Sequence, residues 1–256
     1  MKILLTGGTG GLGREVVRAA EGAGHTVRIA SRRARPADLA PAREWARMDV
    51  ETGEGMAEAL AGVDAVVHAA SDPRRHAIVD VDGTRRLVEA ARAAGTAHLV
   101  YVSIVGIHRI PFPYYRSKLA AERIVLESGV PHSILRATQF HGFVEMMIAG
   151  AAARVPLVLP LPTAFRFQSV ATGEVAERLV RAVERGPGGR LPDFGGPEVL
   201  TMGEMARAWK AARGIGKPVV PLPLPGPVAA AFRAGWNTLG ADGERGTLRW
   251  TDWLRS

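Results

Sequence analysis

A tyrosine and a lysine four residues apart could form a proton-transferring pair in this 256-residue chain. The segment YYRSK carries Tyr114 and Lys118 directly after the proline-bounded loop RIPFP. Residues four apart lie on one face of a helix, so the Lys118 ammonium could stabilise a neighbouring phenolate. Tyr115, three residues before Lys118, is also within helical reach. The same spacing fits a half-buried ring beside a solvated lysine, so the preceding sequence has to decide between chemistry and packing.

A glycine-rich loop near the N-terminus has the spacing of a dinucleotide-binding turn. TGGTGGLG occupies residues 6–13 in a GxxGxxG pattern, between an apolar run and an amphipathic segment. Glycines in such loops permit a tight turn, a close approach of backbone to a pyrophosphate, and close packing of helix on strand. The N-terminus of the following helix adds N–H donors and a positive dipole. The loop predicts a dinucleotide site with contacts from Gly7, Thr9, Gly10, Gly11, Leu12 and Gly13.

Arginines stand where an NAD site usually has an acid. The run TVRIAS (26–31) ends at Ser31 and is followed by Arg32 and Arg33, with no carboxylate before Asp38. A carboxylate there holds the ribose 2′-hydroxyl of NAD, whereas an arginine pairs bidentately with a 2′-phosphate. Ser31, Arg32 and Arg33 therefore predict NADP(H) as the cofactor. The alternative is that both arginines are solvated, because arginine is common in this chain.

Strand and helix patterns alternate around these residues. The predicted strands are 2–6, 26–31, 64–71, 98–103 and 132–140, with a weak third strand before Asp49. The predicted helices are 11–22, 81–95, the segment from YYRSK to Gly129, 173–186 and 202–214. Such alternation implies right-handed crossovers and a parallel sheet. The predicted fold class is α/β, a doubly wound parallel sheet of Rossmann type with a small irregular C-terminal cap.

The length fits a single domain, residues 1–256. Its Rossmann core is expected to comprise about residues 1–140 plus later core elements, with substrate-side cap elements at about 141–170 and 200–256. Loops at the carboxyl edge of an open α/β sheet carry specificity. The cap side chains expected to line the substrate cleft are Phe140, Phe143, Met146 and Met147, together with the proline-rich tract 218–227.

Composition excludes several classes of function. The chain has no cysteine, which excludes disulfides, thiolate metal sites and cysteine nucleophiles. A net charge of +8 would suit a phosphate-rich partner, but the arginines are scattered and no nucleic-acid motif accompanies them. Glycine appears at residue 7, too early for a signal peptide, and no run of about 20 apolar residues follows. These patterns predict a cytoplasmic protein with no nucleic-acid or membrane partner.

With TGGTGGLG, VVHAAS, a strand ending at Ser103 and YYRSK in this order, the chain resembles the short-chain dehydrogenase/reductase superfamily. More narrowly, the segments VDGTRRLVEAA, YVSIVG, SILRATQF and FQSVATGEVAERLV resemble its atypical NmrA-like NAD(P)H-binding branch. The resemblance covers most of residues 1–215. It implies an NADP(H)-dependent oxidoreductase, monomeric or homodimeric, that reduces a carbonyl or oxidises an alcohol on a small, fairly apolar molecule.

Carried over by position, the resemblance assigns the chemistry of the site. It makes Tyr114 the general acid/base, Lys118 the residue that holds the nicotinamide ribose and lowers the tyrosine pKa, and Ser103 the hydroxyl that orients the substrate oxygen. The further cofactor contacts that it implies are Asp49, Val50, Ala69, Ala70, Ser71 and Lys118. The expected substrate pocket comprises Ile104, Val105, Tyr115, Gln139, Phe140 and His141.

The chain also departs from the family pattern. The usual asparagine before the fifth strand is absent, with Asp80 or Asp82 near its place, and Ile104 follows Ser103 where a second hydroxyl is common. Several members of the branch lack the tyrosine and act as sensors, assembly factors or cofactor-binding subunits. Two alternatives stay open: a non-catalytic NADP(H)-binding sensor or partner protein, and a tyrosine-independent NADPH:quinone or flavin reductase.

The histidines do not have the spacing of a metal site. His68 lies in an apolar run and is expected to be a core residue. His108 and His141 could face the substrate pocket, yet neither has a carboxylate or second histidine at ligand spacing. The sequence therefore predicts no bound metal.

Overall fold

The structure, a computed structural model, describes residues 1–37, 39–40 and 43–256. Asp38 lies outside the described residues. The strands are β1 Lys2–Thr6, β2 Thr26–Ser31, β3 Glu44–Arg47, β4 Ala65–His68, β5 His98–Ile104, β6 His132–Ala137, β7 Leu159–Leu161, β8 Arg166–Phe167, β9 Gly189–Arg190, β10 Phe194–Gly195, β11 Leu200–Thr201, β12 Val219–Pro221 and β13 Glu244–Arg245. The α-helices are α1 Gly11–Gly22, α2 Met56–Leu60, α3 Gly83–Ala93, α4 Pro113–Glu127, α5 His141–Arg154, α6 Thr172–Arg185, α7 Met202–Arg213, α8 Pro227–Arg233 and α9 Trp250–Trp253. A π-helix, Ala77–Asp82, leads directly into α3.

The described chain divides into two compact units. The first comprises residues 1–103, 113–135 and 173–191, and the second comprises residues 104–112, 136–172 and 192–256. The predicted single domain with cap elements at about 141–170 and 200–256 stays a prediction.

The first unit is built on a parallel sheet with strands in the order β3-β2-β1-β4-β5-β6, and β9 pairs with the start of β6. The central strand β1 pairs in parallel with β2 on one side and with β4 on the other. The chain therefore winds outward in both directions from β1, and the strand order reverses between β1 and β4. This arrangement confirms the predicted α/β class and the doubly wound parallel sheet.

Burial explains the regular elements of the first unit. Ile3, Leu4 and Leu5 of β1 have no exposed surface, as expected for a parallel strand covered on both faces. Leu4 belongs to an apolar cluster with Leu87 and Val88 of α3 and further residues from α2, α4 and the sheet. The helix predicted before β5 therefore packs an apolar face against the sheet.

Some boundaries differ from the predicted ones. β4 stops at His68 rather than residue 71: the Ala69 amide still reaches the Thr6 carbonyl at 3.3 Å, but the Ala69 and Ala70 amides both donate to Thr6 Oγ1. The helix predicted at 81–95 begins at Gly83, after the π-helix. β6 ends at Ala137, short of residue 140.

The second unit contains the carboxyl end of β6 and the later irregular elements. Ala137 pairs with Phe194 of β10, which in turn pairs with β13. Two small sheets join β7 to β12 and β8 to β11. Its core gathers apolar residues from α5, α7 and α9 around the buried Trp250. Helix α7 begins at a capping box between Thr201 and Glu204, which satisfies its first amides.

The helices of the described chain are all too short or too polar to cross a lipid bilayer.

Candidate functional site

A cleft in the first unit lies where the carboxyl ends of β1, β2, β3 and β4 meet, the edge at which doubly wound sheets bind ligands. The predicted cofactor residues that line it are Gly7, Thr9, Gly10, Ser31, Arg32, Asp49, Val50, Ala69, Ala70 and Ser71. The predicted residues outside this lining are Gly11, Leu12, Gly13, Arg33 and Lys118. Further lining residues, which sequence reasoning missed, are Thr6, Ala30, Met48, Glu51, Asp72 and Val79.

The glycine loop has the packing that a phosphate cradle requires. Gly7 has a φ of 72°, and a Cβ there would lie 2.7 Å from the Ala69 carbonyl carbon. A Cβ on Gly13 would lie 2.2 Å from the Gly7 oxygen, so helix α1 sits directly against the turn. Gly10 caps α1 without any side-chain hydrogen bond, which leaves the first-turn amides to a ligand or solvent. These residues fit the pyrophosphate of a dinucleotide.

A buried hydrogen-bond network anchors Thr6, Ala69 and Ala70, which line the cleft. Thr84 Oγ1 donates to the Asp80 carbonyl over 2.6 Å, so it accepts from His68 Nε2, 2.9 Å away. His68 Nδ1 is then the acceptor for Thr6 Oγ1 at 2.7 Å, and Thr6 Oγ1 in turn accepts the Ala69 and Ala70 amides. Burial lowers the pKa of His68 to about 3, aided by the charge on Lys118. His68 is thus a satisfied, neutral core histidine, as predicted.

The Tyr114 hydroxyl is tied to the cleft through Ser71. Ser71 Oγ and Tyr114 Oη are 2.7 Å apart, and Ser71 Oγ donates to Asp80 Oδ1 over 2.7 Å. Since the Ser71 proton goes to Asp80, Tyr114 donates to Ser71. The Asp80 carboxylate has no exposed surface and also accepts the Asp72 amide. Asp80 therefore completes a hydrogen-bonded chain that runs from Tyr114 through Ser71 to Asp80.

Lys118 lies under this chain in the interior of the first unit. Its Nζ donates to the Val102 carbonyl over 2.8 Å, lies 3.6 Å from Asp80 Oδ1 and sits 4.3 Å above the Tyr101 ring. Burial lowers the pKa of Lys118, while the charges of Asp80 and Glu122 oppose that shift. The helix α4 places Tyr114 and Lys118 one turn apart, as the YYRSK spacing predicts.

In this structure the pKa of Tyr114 is raised rather than lowered, and the role expected of Lys118 stays a prediction. The pKa of Tyr114 is raised, chiefly by burial, and Asp80 raises it further, while hydrogen bonding of Ser71 to the phenolate form partly offsets both. The Lys118 Nζ lies 3.6 Å from Asp80 Oδ1, so these two buried charges are paired. At neutral pH Tyr114 is a protonated phenol.

Ser103, at the end of β5, has an unusual environment. Its side chain is buried, and its Oγ finds no hydrogen-bond partner among the residues that the structure describes. A buried hydroxyl without a partner costs roughly 1–3 kcal/mol. Ser103 as the substrate-orienting hydroxyl stays a prediction.

The two predicted arginines differ in position. Arg32 lines the cleft, where its Nη1 lies 2.9 Å from Glu51 Oε1. Arg33 is exposed outside the lining, and its backbone carbonyl accepts the Trp45 indole N–H. Asp49 accepts the Glu51 amide at 2.8 Å, which fixes the turn after β3. Arg32 alone of the predicted pair is therefore placed to meet a group in the cleft.

The predicted substrate-pocket residues belong to both units. Tyr115, in the first unit, is buried with its ring 6.0 Å from that of Tyr114. In the second unit, Val105 and Gln139 are buried, and Gln139 Oε1 accepts from Asn237 Nδ2 over 2.9 Å. His141 is also buried, with its ring nitrogens bonded to Ser169 Oγ and the Leu248 carbonyl.

The remaining pocket candidates are more open. Ile104 and Phe140 are half-buried, as is Met147, whereas Phe143 and Met146 are exposed on α5. Their role in binding substrate stays a prediction. Within the described chain, no group of three or more potential ligands is arranged to hold a metal ion.

Comparison with known proteins agrees with this fold and cleft. A family model described as NAD(P)H-binding matches residues 7–185. The photosystem II assembly factor Ycf39 of Synechocystis sp. is 32% identical over 202 residues, covering 72% of this chain and 59% of the relative. A 3-beta-hydroxysteroid dehydrogenase of Mycolicibacterium neoaurum is 28% identical over 155 residues, covering 49% of this chain and 42% of the relative. The chain spans about half the length of the curated relatives it matches.

Solved structures show the same fold. The NADPH-dependent quinone oxidoreductase QOR2 of Escherichia coli, complexed with NADPH, is similar with a TM-score of 0.79 at 16% identity, over 99% of this chain and 98% of that one. A UDP-glucose 4-epimerase of Thermus thermophilus complexed with NAD is similar with a TM-score of 0.76 at 21% identity, over 100% of this chain and 98% of that one.

Fold and cleft define a dinucleotide-binding protein of the Rossmann type. The chain belongs to the NAD(P)H-binding family. The predicted resemblance to the short-chain dehydrogenase/reductase superfamily and its NmrA-like branch is confirmed.

Proposed function

We propose that this protein is an NADP(H)-dependent oxidoreductase that reduces the carbonyl group of a small, fairly apolar molecule. The observation that carries the proposal is the hydrogen bond of 2.7 Å between Tyr114 and Ser71. Ser71 lines the cleft predicted for the cofactor, so a titratable phenol is attached directly to that cleft. Hydride transfer from NADPH to a carbonyl carbon requires a proton at the oxygen, and a phenol can supply it.

The residues around the cleft suit different parts of NADP(H). The uncapped first turn of α1, with Gly10 and Gly11, suits the pyrophosphate, and Arg32 suits the 2′-phosphate. Asp49 and Val50 would adjoin the adenine, as the family resemblance implies. Ala69 and Ala70, anchored by Thr6, would adjoin the nicotinamide half. The cofactor would supply the hydride and the protein would supply position and the proton.

Tyr114 would donate its hydroxyl proton to the carbonyl oxygen as that oxygen becomes an alcohol. Ser71 holds the phenol by one hydrogen bond, and Asp80 holds Ser71 by another. Lys118, which pairs with Asp80 and donates to the Val102 carbonyl, would balance the buried negative charge of Asp80. It would also hold the nicotinamide ribose. Ser103, with its unused buried hydroxyl, would donate to the same substrate oxygen.

Reduction is the direction that the protonation state favours. Burial raises the pKa of Tyr114, so the residue is a phenol at neutral pH and is ready to give a proton. Alcohol oxidation would require the phenolate as the base. The same environment that keeps the proton in place therefore opposes the reverse reaction at neutral pH.

A second candidate is a non-catalytic NADP(H)-binding partner protein. It is favoured by the curated relatives in Synechocystis sp. and other organisms that are named photosystem II assembly factors. In that case Tyr114, Ser71 and Asp80 would serve only to hold α4 and the π-helix against the cleft. Cofactor affinity would then be independent of the Tyr114 hydroxyl, and turnover would be absent.

The test is a screen of NADPH oxidation against ketones, quinones and flavins, preceded by titration of the protein with NADPH and NADH. Binding of NADPH with turnover of a ketone that depends on Tyr114 supports the oxidoreductase. Binding without any turnover supports the partner protein. Turnover of quinones or flavins that survives Tyr114→Phe supports a tyrosine-independent reductase, and failure to bind either nucleotide refutes all three.

A further inference from the structure

Glu51 lies between two arginines in the part of the cleft that Ser31 and Arg32 line. Its Oε1 is 2.9 Å from Arg32 Nη1, and its Oε2 is hydrogen-bonded to Arg75 Nη2. Arg32 follows β2, Glu51 follows β3 and Arg75 follows β4, so three loops of the first unit bring these side chains together. Each carboxylate oxygen is thus occupied by a different guanidinium.

Exposure differs sharply within this triad. The Glu51 side chain is 12% exposed, whereas Arg32 and Arg75 are 57% and 46% exposed. The carboxylate is covered, and both guanidiniums reach solvent while being held by it. One negative and two positive charges leave a net charge of +1 beside Ser31, at the end of β2. A phosphate monoester carries about −1.5 to −2 at neutral pH, and arginine recognises phosphate and carboxylate with the same planar fork.

We propose that Glu51 is a specificity-determining residue that competes with the 2′-phosphate of NADP(H) for Arg32 and Arg75. This inference rests on the cofactor part of the proposed function. A 2′-phosphate that binds the two arginines has to share them with a carboxylate that already accepts from both and also repels it. NAD(H) has a hydroxyl at that position and leaves the triad intact. Glu51 therefore weakens the preference for NADP(H) that the two arginines would otherwise give.

The opposite role, in which Glu51 accepts a hydrogen bond from the ribose 2′-hydroxyl of NAD(H), fits the contacts less well. Both of its oxygens already accept from guanidiniums. The acid that holds a ribose in Rossmann folds stands at the end of the second strand, where this chain has Ser31 and Arg32. Glu51 instead follows the third strand.

The experiment compares the dissociation constants of NADPH and NADH for wild type and Glu51→Gln, by calorimetry at one fixed ionic strength. Glu51→Gln keeps the size of the side chain and removes its charge. Glu54→Gln is the matched control, because Glu54 is an exposed acid three residues away and does not line the cleft. Exposed ion pairs are weak, so we expect Glu51→Gln to tighten NADPH about three- to tenfold and to change NADH less than about twofold. Glu54→Gln should leave the NADPH/NADH ratio unchanged.

Three results would overturn the proposal. An unchanged ratio in Glu51→Gln would mean that Glu51 does not compete, and weaker NADPH binding would mean that it positions the arginines instead. Weaker NADH binding would assign it to the ribose hydroxyl. Glu51→Ala repeats the comparison should Glu51→Gln fold poorly. If wild type binds neither nucleotide, the cofactor proposal itself fails, which is a distinct outcome.

Discussion

Ser71 and Tyr114 are hydrogen-bonded at 2.7 Å, although one follows β4 and the other begins a helix 43 residues later. Ser71 also donates to the buried Asp80, so the serine hydroxyl fixes the direction of the phenolic proton. Once Tyr114 has lost its proton, the Ser71 hydroxyl can donate to the phenolate, and this bond lowers the pKa of Tyr114 against the larger effect of burial. Ser71 therefore makes the tyrosine a better proton donor than burial alone would allow.

Replacement of Ser71 by alanine should lower the kcat of carbonyl reduction. One lost hydrogen bond of about 0.5–1.5 kcal/mol corresponds to roughly two- to tenfold in rate. Ser71→Thr keeps a hydroxyl and should recover most of the rate. Steady-state kinetics with a substrate from the screen provide the measurement. If Ser71→Ala turns over as fast as wild type, the serine does not act on the phenol.

The rates of reduction and oxidation should depend differently on pH. Because the pKa of Tyr114 is raised, its protonated form persists throughout the neutral range, and the rate of reduction should be flat between about pH 6 and 9. Oxidation needs the phenolate, whose fraction grows tenfold per pH unit below the pKa, so its rate should still be rising at pH 9. Initial rates in both directions check this. A bell-shaped reduction profile centred near pH 7 would argue against Tyr114 as the donor.

The stability of the protein should decrease as the pH is lowered, partly because of His68. The pKa of His68 is about 3 in the folded protein against an ordinary value of 6.5, so below pH 6.5 the unfolded chain binds a proton that the folded chain does not. Stability is therefore lost as pH falls from 6.5 towards 3, by about 2–3 kcal/mol at pH 4.5. Urea unfolding at pH 7.5, 5.5 and 4.5 measures this loss.

His68→Gln should flatten that part of the curve, since glutamine does not titrate. The variant starts from a lower stability at pH 7.5, because glutamine has to replace the hydrogen bonds of His68 to Thr6 and Thr84. Only the change of stability with pH is therefore compared. Equal losses in wild type and His68→Gln would show that His68 is protonated as readily in the folded state as in the unfolded one.

Alanine variants of two loop glycines, Gly13 and Gly11, provide a matched pair that tests the packing of the dinucleotide site. A Cβ on Gly13 would lie 2.2 Å from the Gly7 carbonyl oxygen, whereas a Cβ on Gly11 meets nothing within 4 Å. Gly13→Ala should therefore destabilise the fold by about 1–3 kcal/mol and weaken NADPH binding at least about tenfold. Gly11→Ala should leave stability unchanged or raise it by up to about 1 kcal/mol, because alanine favours a helix. Equal stabilities for the two variants would contradict the close packing of α1 on the turn.

The sequence predicts those features that depend on local pattern. The apolar run at 2–6, the glycines of the loop and the spacing of Tyr114 and Lys118 each constrain only neighbouring residues, and the fold, the cleft and helix α4 follow from them. His68 is likewise predicted as a core residue because its neighbours in the strand are apolar.

Features made by distant residues were not predictable in this way. Arg75 and Glu51 meet only because the loops after β3 and β4 converge, and neither residue has a sequence neighbour that signals the other. The raised pKa of Tyr114 depends on the depth of burial and on Asp80, which lies in a separate element. The spacing of YYRSK shows that a lysine is near the tyrosine, but not that a carboxylate is paired with that lysine.

The most direct test of the account is the turnover of Tyr114→Phe, measured as NADPH oxidation with the best carbonyl substrate, beside wild type and Tyr115→Phe. The change removes the hydroxyl that bonds to Ser71 and keeps the ring, so NADPH affinity should be nearly unchanged. Turnover should fall about 10²–10⁴-fold, the usual contribution of general acid catalysis, while Tyr115→Phe stays near wild type. Wild-type turnover in Tyr114→Phe would contradict the account and show that the proton comes from another group.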